Sequence, residues 1–521
     1  MLGRKAVTYN HYFCFMIDSK KRKRKTEKGI LGVPKRPMLF SFNVRQGEEW
    51  SSDSEDSDYI PSDEEISNTK RKVNRRKRIK NSKEQKPKES IVEKSTERSG
   101  VSLQLPEEIL LKVFQELVNS QGTLPFLVRA SKVCRTWRNV ACDPTLWRKV
   151  DLSFGWIKMS ERVLKWLCEN RLTHCRDVNL SASKFFVNSN IKLLTETCSQ
   201  LKVINISYCK VTTETIVTIA ENCHQLTSLD LSFTPVDAVC LQSLKVLLPK
   251  HGLYLKQLTM GGNTYKSFNS VFNLILSHCP QLEMLDISNC LFSTDIVLVN
   301  VKKFQNSCPN LQILGLANSR IGVSQEPGLS SFPKLEQLSV AYNKPGDQPR
   351  SCLNLDLVTR ILHDSPDLKL LDLRGNDNID CYNLCNIDSN NVQSLHASNT
   401  ATQRDGSQYQ RLALLLTKWR RSLLELDLSW STLREEDLNH AFKGLVNMTD
   451  HCPLSSLNLA GTNVTQETVS LVLNKCQDLT SVNLTSCRGM TRGFKREFQT
   501  AADVRKLRKE LNSMDSSDSS N

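Results

Sequence analysis

The chain has 521 residues, 39% of them hydrophobic and 24% charged, enough apolar matter for a large core and, by length, for about two to four domains. Its net charge of +15 is uneven: residues 1–100 hold 25 Lys+Arg against 15 Asp+Glu, so +10 of the total sits there. Eighteen cysteines in so long a chain argue against a small disulfide-knit secreted module, and the one early apolar run, Tyr12 to Ile17, is too short for a signal peptide core or a membrane span. An intracellular, reducing compartment with free thiols is the expectation.

Lys20, Lys21, Arg22, Lys23, Arg24 and Lys25 form one basic block, and KRKVNRRKR from Lys70, with Arg75, Arg76, Lys77 and Arg78, forms another. Like charges so dense stay solvated, which predicts a disordered tail over residues 1–100. The blocks read as nuclear-import signals, with nucleic-acid association through phosphate neutralisation as a second reading and a merely solubilising tail as a third. Nuclear, with or without cytoplasmic, localisation follows from the first. The acidic, serine-rich run Ser51 to Glu65 between them resembles kinase substrates, and phosphorylation there would let it pair with the basic blocks.

The next stretch, Leu105 to Trp147, reads LPEEILLKVFQELVNSQGTLPFLVRASKVCRTWRNVACDPTLW. Pro106 with Glu107 and Glu108 marks a helix start, and Leu110, Val113, Phe114 and Leu117 recur as one apolar face. After a loop with Gly122 and Pro125, a second helical pattern runs from Leu127 to Val140, with Leu127, Ala130, Val133, Cys134 and Trp137 on one stripe. Asp143-Pro144 closes it. So much apolar surface on two or three short helices calls for a partner, or for a cap role over the first coil of the downstream chain.

Three separated elements of this stretch, the LPxEIL start, the VCRxWR centre (Val133, Cys134, Arg135, Trp137, Arg138) and the closing Leu146-Trp147, in this order and spacing, resemble an F-box. That module joins receptor subunits of cullin-type ubiquitin ligases to a Skp-family adaptor. By the resemblance, Leu105, Pro106, Ile109, Leu110, Val133 and Trp137 face the adaptor or support the face that does, and a cullin is reached through the adaptor.

From residue 170 to 490 the chain repeats. The frame apolar-x-x-apolar-x-apolar starts at Cys175, Leu201, Leu226, Leu255, Leu282, Leu311, Leu335, Leu368, Val392, Leu423, Leu454 and Leu479, at separations of 24 to 33 residues. That is close to the leucine-rich-repeat period. Each frame predicts a short strand with positions 1, 4 and 6 inward, followed by an outer helix such as those begun by Thr212-Thr213-Glu214 and by Thr465. Single coils cannot bury their own apolar faces, so they must stack into a solenoid horseshoe. Asn343 to Asn354 and Asn399 to Gln410 read as inserted loops, and the end after Leu484 as a C-terminal cap with a frayed polar tail. Cysteine brackets several frames, as with Cys198 and Cys209, in the manner of the cysteine-containing repeats of F-box proteins.

Catalysis finds no foothold in the sequence. Cys–His neighbours such as His174-Cys175, Cys223-His224, His278-Cys279 and His451-Cys452 recur once per coil, so they form a ladder rather than a zinc site, and buried thiols at helix ends are the better reading. Cys381 and Cys385 read as core packing. No phosphate loop, serine-hydrolase elbow or zincin motif occurs. No metal or cofactor is expected.

The position between the last two apolar residues of each frame is polar and often acidic: Asn179, Asn205, Asp230, Asp286, Asp372, Asp427, Asn458 and Asn483 are its Asp/Asn members. The residue two beyond is small, with Arg374 the exception. Either this column, with Asn205, Asp230, Asp286, Asp372, Arg374, Asp427 and Asn458, forms a mildly acidic groove for a basic substrate segment, or LDL and LNL are simply frequent forms of the repeat.

Together these features resemble the F-box/leucine-rich-repeat family over residues 105 to about 490. The expected fold class is α/β: a disordered tail (1–100), a small helical F-box (101–150), about twelve leucine-rich repeats (151–490) and a cap with a polar tail (491–521). The family resemblance implies a non-catalytic substrate receptor of a Skp–cullin–F-box ubiquitin ligase with an unknown protein substrate. A non-degradative nuclear scaffold, docking protein or ribonucleoprotein partners through the basic tail, is the alternative. No membrane partner is expected, nor nucleic acid except through the tail.

Overall fold

Position by position, the repeat frame dictates the central sheet. In LTSLDL, Leu226, Leu229 and Leu231 are buried while Ser228 and Asp230 stay partly open, and Ser228–Asp230 is the strand. A three-residue strand is far too short to stand alone. Its stability comes from neighbours, and all twelve frames supply one. The computed structural model describes residues 105–153, 159–183, 188–234, 239–292, 297–324, 331–342, 355–376, 384–399, 408–446, 451–491 and 495–518. Residues 1–104, with both basic blocks and the acidic run, lie outside these, as do Cys381 and nearly all of the two expected insertions; only Asn399 and Gln408 to Gln410 are described, the latter already helical.

The strands join into one 14-stranded sheet, parallel except at its last edge, with frame opposite frame. Asn205 stands across from Asp230, Asp230 from Thr259, Thr259 from Asp286, and the same register continues to Asn458 across from Asn483. Constant register puts equivalent positions in straight columns. The fourth-position column (Ile204, Leu229, Leu258, Leu285, Leu314, Leu338, Leu371) is the core seam, with every member buried.

Outer helices complete the coils. Thr212 caps Thr213–Asn222 in a reciprocal capping box with Thr215, and Ile216, Ile219 and Ala220 face the core. Thr465 precedes Gln466–Lys475, whose Val469, Val472 and Leu473 are buried. Several helices end on a cysteine: Cys223, Cys279, Cys308 and Cys476 are the residues at which the helix stops. All four are buried, as expected for small thiols filling the joint between helix and next strand.

A thirteenth coil precedes the twelve. Trp147, Val150 and Leu152 repeat the frame, and Lys149–Asp151 pairs in parallel with Asp177–Asn179. Trp147 therefore belongs to both units: its indole N–H donates to the Ala141 carbonyl of the helical segment at 2.8 Å, while its ring holds position 1 of the first coil. Thr123 fastens the joint from the other side, its hydroxyl donating to the carbonyls of Leu146 and Lys149. The cap role and the F-box reading are thus properties of one segment.

Within that segment the helices are α1 (Glu107–Gln121), α2 (Phe126–Ala130) and α3 (Arg135–Ala141). The single helix expected from Leu127 to Val140 is broken. Cys134 turns to an extended conformation (φ −159°) and caps α3 by accepting the Trp137 N–H on its sulfur. Arg138 ties the break by donating to the Ser131 carbonyl at 3.2 Å. The supposed stripe is split accordingly: Leu127 and Ala130 are buried, whereas Val133 and Cys134 point outward.

The far end is closed by an antiparallel strand, Glu497–Phe498, set against Val482 and Asn483, so the sheet does not end on an open edge. The stretch expected to fray is helical from Ala501 to Asp518, because Val504, Leu507 and Leu511 fall on one face and are buried. Arg508 of this helix donates to the carbonyls of Leu473 (2.7 Å) and Cys476 (3.2 Å), satisfying the C-terminus of the last repeat helix.

Candidate functional site

Two surfaces carry the residues singled out by the sequence. The first is the outer side of the helical segment. Leu110 and Phe114 of α1 are buried, and the Phe114 ring meets Phe126 and Trp137 edge to face, each at 5.1 Å between centroids. With the interior thus filled, the remaining apolar side chains have nowhere to go. Leu105, Ile109, Val113 and Val133 are 43 to 60% exposed, and Pro106, at the cap of α1, is exposed too. The structure therefore divides the expected set: Leu105, Pro106, Ile109 and Val133 lie on the surface, Leu110 is core, and Trp137 is half-buried behind them. Val113, expected on the inner face of α1, is i+4 from Ile109 and shares the outer one.

The second surface is the strand column. Its polar side chains have a local task. The Oδ1 atoms of Asn179, Asn205, Asp230, Asp286, Asp427, Asn458 and Asn483 each accept the backbone N–H two residues on, at 2.9 to 3.2 Å. That is an Asx turn at the exit of every such strand, and it explains why Asp and Asn alternate freely there. Asp372 makes the same turn at 3.3 Å with the Arg374 N–H and adds a two-bond ion pair with the Arg374 guanidinium. Burial pushes the carboxyls of Asp230 and Asp286 up from their ordinary range, partly offset by the hydrogen bonds from Ser232 and Ser288. All seven expected groove residues are described, six of them on one ladder and Arg374 two residues past its strand. Asp372 is buried, and Asp286 packs over Gly315, where an added Cβ would stand 2.4 Å from its Oδ1.

Residues 102–153 match the F-box-like family, which spans the helical segment and the first strand. The F-box protein SKIP19 of Arabidopsis thaliana is 25% identical over 227 residues, covering 37% of this chain and 70% of that protein. Putative F-box/LRR-repeat protein 22 of the same plant is 25% identical over 257 residues (42% of this chain, 80% of that one). Residues 102–153 thus carry an F-box-like domain, and the chain is similar to several F-box/LRR-repeat proteins. F-box/LRR-repeat protein 21 of Mus musculus, 24% identical, aligns over 45% of this chain and 55% of its own length. Among solved structures, a yeast Rad7 and Elc1 complex aligns with 75% of this chain and 90% of the matched chain at 14% identity and a TM-score of 0.40.

Among the described residues no group of three or more His, Cys, Asp or Glu is placed to hold a metal, and no helix is long and apolar enough to cross a membrane. The helix-end thiols are chemically quiet: burial pushes Cys223, Cys279 and Cys308 up to about 12. What sequence reasoning overlooked lies one residue beyond the small-residue column. There Ala182, Tyr208, Phe233, Gly262, Asn289, Asn318, Gly375, Asn399, Trp430, Gly461 and Ser486 all have φ between 52° and 73°. A run of Gly and Asn at one repeat position is the readable sign of that left-handed turn. Its exceptions are the small Ala182 and Ser486 and three aromatics, Tyr208, Phe233 and Trp430.

Proposed function

We propose that this chain is the substrate-receptor subunit of a Skp–cullin–F-box-type ubiquitin ligase. The observation that carries the reading is the apolar set Leu105, Ile109, Val113 and Val133, left exposed by a helical segment whose interior is already filled. An exposed apolar set of this kind on a small folded module fits burial against a partner. The partner is a Skp-family adaptor, and a cullin is recruited through it. Because Trp147 and Thr123 join the F-box rigidly to the first coil, whatever the solenoid holds is kept at a fixed place relative to the adaptor. The contribution is proximity: a separate conjugating enzyme transfers ubiquitin to a lysine of the held substrate. The receptor itself is non-catalytic.

Substrate is held on the strand face by the column containing Asn205, Asp230, Asp427 and Asn458, with the Asp372–Arg374 pair between them. Exchange of Asp230, Asp286, Asp372 and Asp427 for Asn keeps every Asx turn and removes the charge, so unchanged affinity for substrate would eliminate the acidic-groove part. The two basic blocks of the tail direct the chain to the nucleus. Within the family, the runs VRASKVCRTWRNVACDPTLW, LLDLRG and TKWRRSLLELDLS resemble F-box/leucine-rich-repeat protein 6.

The deciding experiment is a pull-down from cell extract of the intact chain beside a Leu105→Ala, Pro106→Ala variant whose folding is verified by thermal melting. Adaptor and cullin should come down with the first and not the second, and proteins retained by both are substrate candidates. Recovery of neither adaptor nor cullin with the intact chain would overturn the receptor reading in favour of a nuclear scaffold working through its basic tail.

A further inference from the structure

The left-handed turn after each strand has a backbone purpose. The N–H of the residue in it reaches forward to the next coil: Tyr208 donates to the Ser232 carbonyl, Phe233 to Gly261, Gly262 to Ser288, Trp430 to Ala460 and Gly461 to Thr485, at 2.7 to 3.0 Å. Glycine or asparagine performs this at least cost, and Gly262, Asn289, Asn318, Gly375, Asn399 and Gly461 do so. Tyr208, Phe233 and Trp430 adopt the same φ of 54° to 58°, a conformation that bulky side chains rarely take. Backbone demands therefore do not explain them.

Side-chain packing explains how the rings are held, though not why two of them stay open. Tyr208 lies flat on Phe233, centroids 4.5 Å apart and planes within 7°. Phe233 in turn occupies the space beside Gly262, where an added Cβ would come within 2.2 Å of its ring, and Trp430 lies over Gly461 in the same way at 2.3 Å. Each ring is thus seated on the following coil and fixed in orientation. Yet Tyr208 is 50% and Trp430 56% exposed. Rigid, half-open Tyr and Trp side chains are the kind of anchor that dominates protein interfaces.

The surrounding charge selects the partner. Ser232, which receives the Tyr208 N–H, also donates its own N–H to Asp230, and Ser429, the residue before Trp430, donates to Asp427. Trp430 thus follows a carboxylate-bearing turn of its own coil, and Tyr208, whose own turn carries Asn205, is bonded to the carboxylate-bearing turn of the next coil; Glu425, which accepts from the Ser394 hydroxyl, adds a carboxylate on the Asp427 strand. The basic groups of neighbouring coils are themselves engaged: Lys149 faces Asp177, Arg374, two residues past its strand, pairs with Asp372, and His396, across from Asp427, lies 4.0 Å from Glu425. An aromatic face beside a carboxylate is a site for a guanidinium, which stacks on the ring and hydrogen-bonds the acid.

We infer that Tyr208, seated on Phe233, and Trp430 are two anchor sites for arginine side chains of one extended substrate segment lying along the turn column. Eight strand steps separate their coils, roughly 38 Å at the usual strand spacing, which an extended chain covers in about eleven residues. This rests on the receptor reading for its biological meaning, but the recognition itself needs neither adaptor nor cullin.

The test is fluorescence anisotropy with the intact chain and three labelled Gly/Ser peptides: one with two arginines eleven residues apart, one with citrulline in their place, and one with glutamate. The arginine peptide should bind at least roughly tenfold more tightly than either control, and Tyr208→Asn and Trp430→Asn should each weaken it roughly tenfold. Since asparagine suits the turn, neither variant should melt lower than the parent. Equal binding by the citrulline peptide, no binding by the arginine peptide, or variants that bind normally would each overturn the assignment. Variants that melt several degrees lower with unchanged affinity would make the rings solenoid packing instead. Loss of adaptor from the extract pull-down would leave this result untouched, so the two readings fail separately.

Discussion

Arg374 grips Asp372 with two parallel hydrogen bonds, Nε to Oδ1 and Nη2 to Oδ2, both 2.7 Å, between side chains only 13% and 3% exposed. Burial alone would push the carboxyl up, but the guanidinium's hydrogen bonds and charge outweigh it and hold Asp372 below the ordinary range. A depressed carboxyl contributes stability that is complete above its unfolded pKa and lost as pH falls through the folded one. Arg374→Gln leaves a buried carboxylate without its counter-charge, held by the Ser339 hydroxyl and the residue-374 N–H, and should cost about 3–5 kcal/mol at neutral pH. Asp372→Asn with Arg374→Ser recreates the Asn205 and Ser207 arrangement of an earlier coil, so the double variant should recover most of that loss. Denaturant melts at pH 7 and pH 4 check both points; a single-variant loss under about 1 kcal/mol would mean the pair behaves like a surface bridge.

Asp286 carries the opposite sign. Its carboxyl is raised by burial despite the hydrogen bonds of Ser288, so the ionised form is penalised in the folded state. Its stabilising contribution is present below the unfolded pKa and lost as pH rises through the folded value. Asn at this position retains the acceptor for the Ser288 N–H, as Asn205 and Asn458 do for theirs. Asp286→Asn should therefore melt at the same or a higher temperature than the parent at pH 7, with the difference shrinking toward pH 4. A lower melting temperature at pH 7 would show that the charge is being used by something the turn alone does not supply.

The solenoid is legible in the sequence because its cause is local and repeated: three apolar residues at fixed offsets, twelve times, leave one way to bury them. Trp147 escapes because its frame overlaps the end of the F-box pattern, so a residue that serves two units reads as part of one. The break between α2 and α3 escapes because Leu127 to Val140 keeps helical spacing across it, and nothing in that spacing reveals that Cys134 will act as a cap. Val113 is misplaced since a helix with apolar residues on two faces has no unique inner side until Phe126 and Trp137 close on Phe114. The aromatic anchors escape for a backbone reason. Reading apolar periodicity finds the buried columns, whereas Tyr208 and Trp430 declare themselves only against the Gly and Asn that occupy the same position in other coils.

Ile109 and Leu110 are adjacent and face opposite ways, which separates folding from partner binding. Leu110 is 3% exposed, and Leu110→Ala should cost about 2–5 kcal/mol through the cavity it leaves against Phe114. Ile109→Asp places a charge on the open face and should leave the melting temperature within a degree or two while abolishing adaptor capture. Val113→Asp should do the same, although the sequence pattern assigns it to the core. Melting curves beside an adaptor pull-down decide the matter, and a folded Ile109→Asp chain that still captured adaptor would place the contact elsewhere.

Thiol reactivity reports on both surfaces at once. Cys134 is exposed, next to Val133, whereas Cys223, Cys279 and Cys308 are buried with their thiols pushed up to about 12. Alkylation needs a sulfur the reagent can reach, so in the folded chain at pH 7.4 iodoacetamide should modify the exposed Cys134 first among the described cysteines. The half-buried Cys142, Cys240 and Cys385 should follow, and the helix-end thiols should react only after denaturation. Digestion and mass spectrometry at timed points give the order. Fast alkylation of Cys223 or Cys279 in the folded state would mean that the coils are not closed on one another. Adding purified Skp-family adaptor should slow Cys134 and no other of these sites, because Val133 and its neighbour leave solvent together when that face is covered; an unchanged Cys134 rate at saturating adaptor would count directly against this face as the point of attachment.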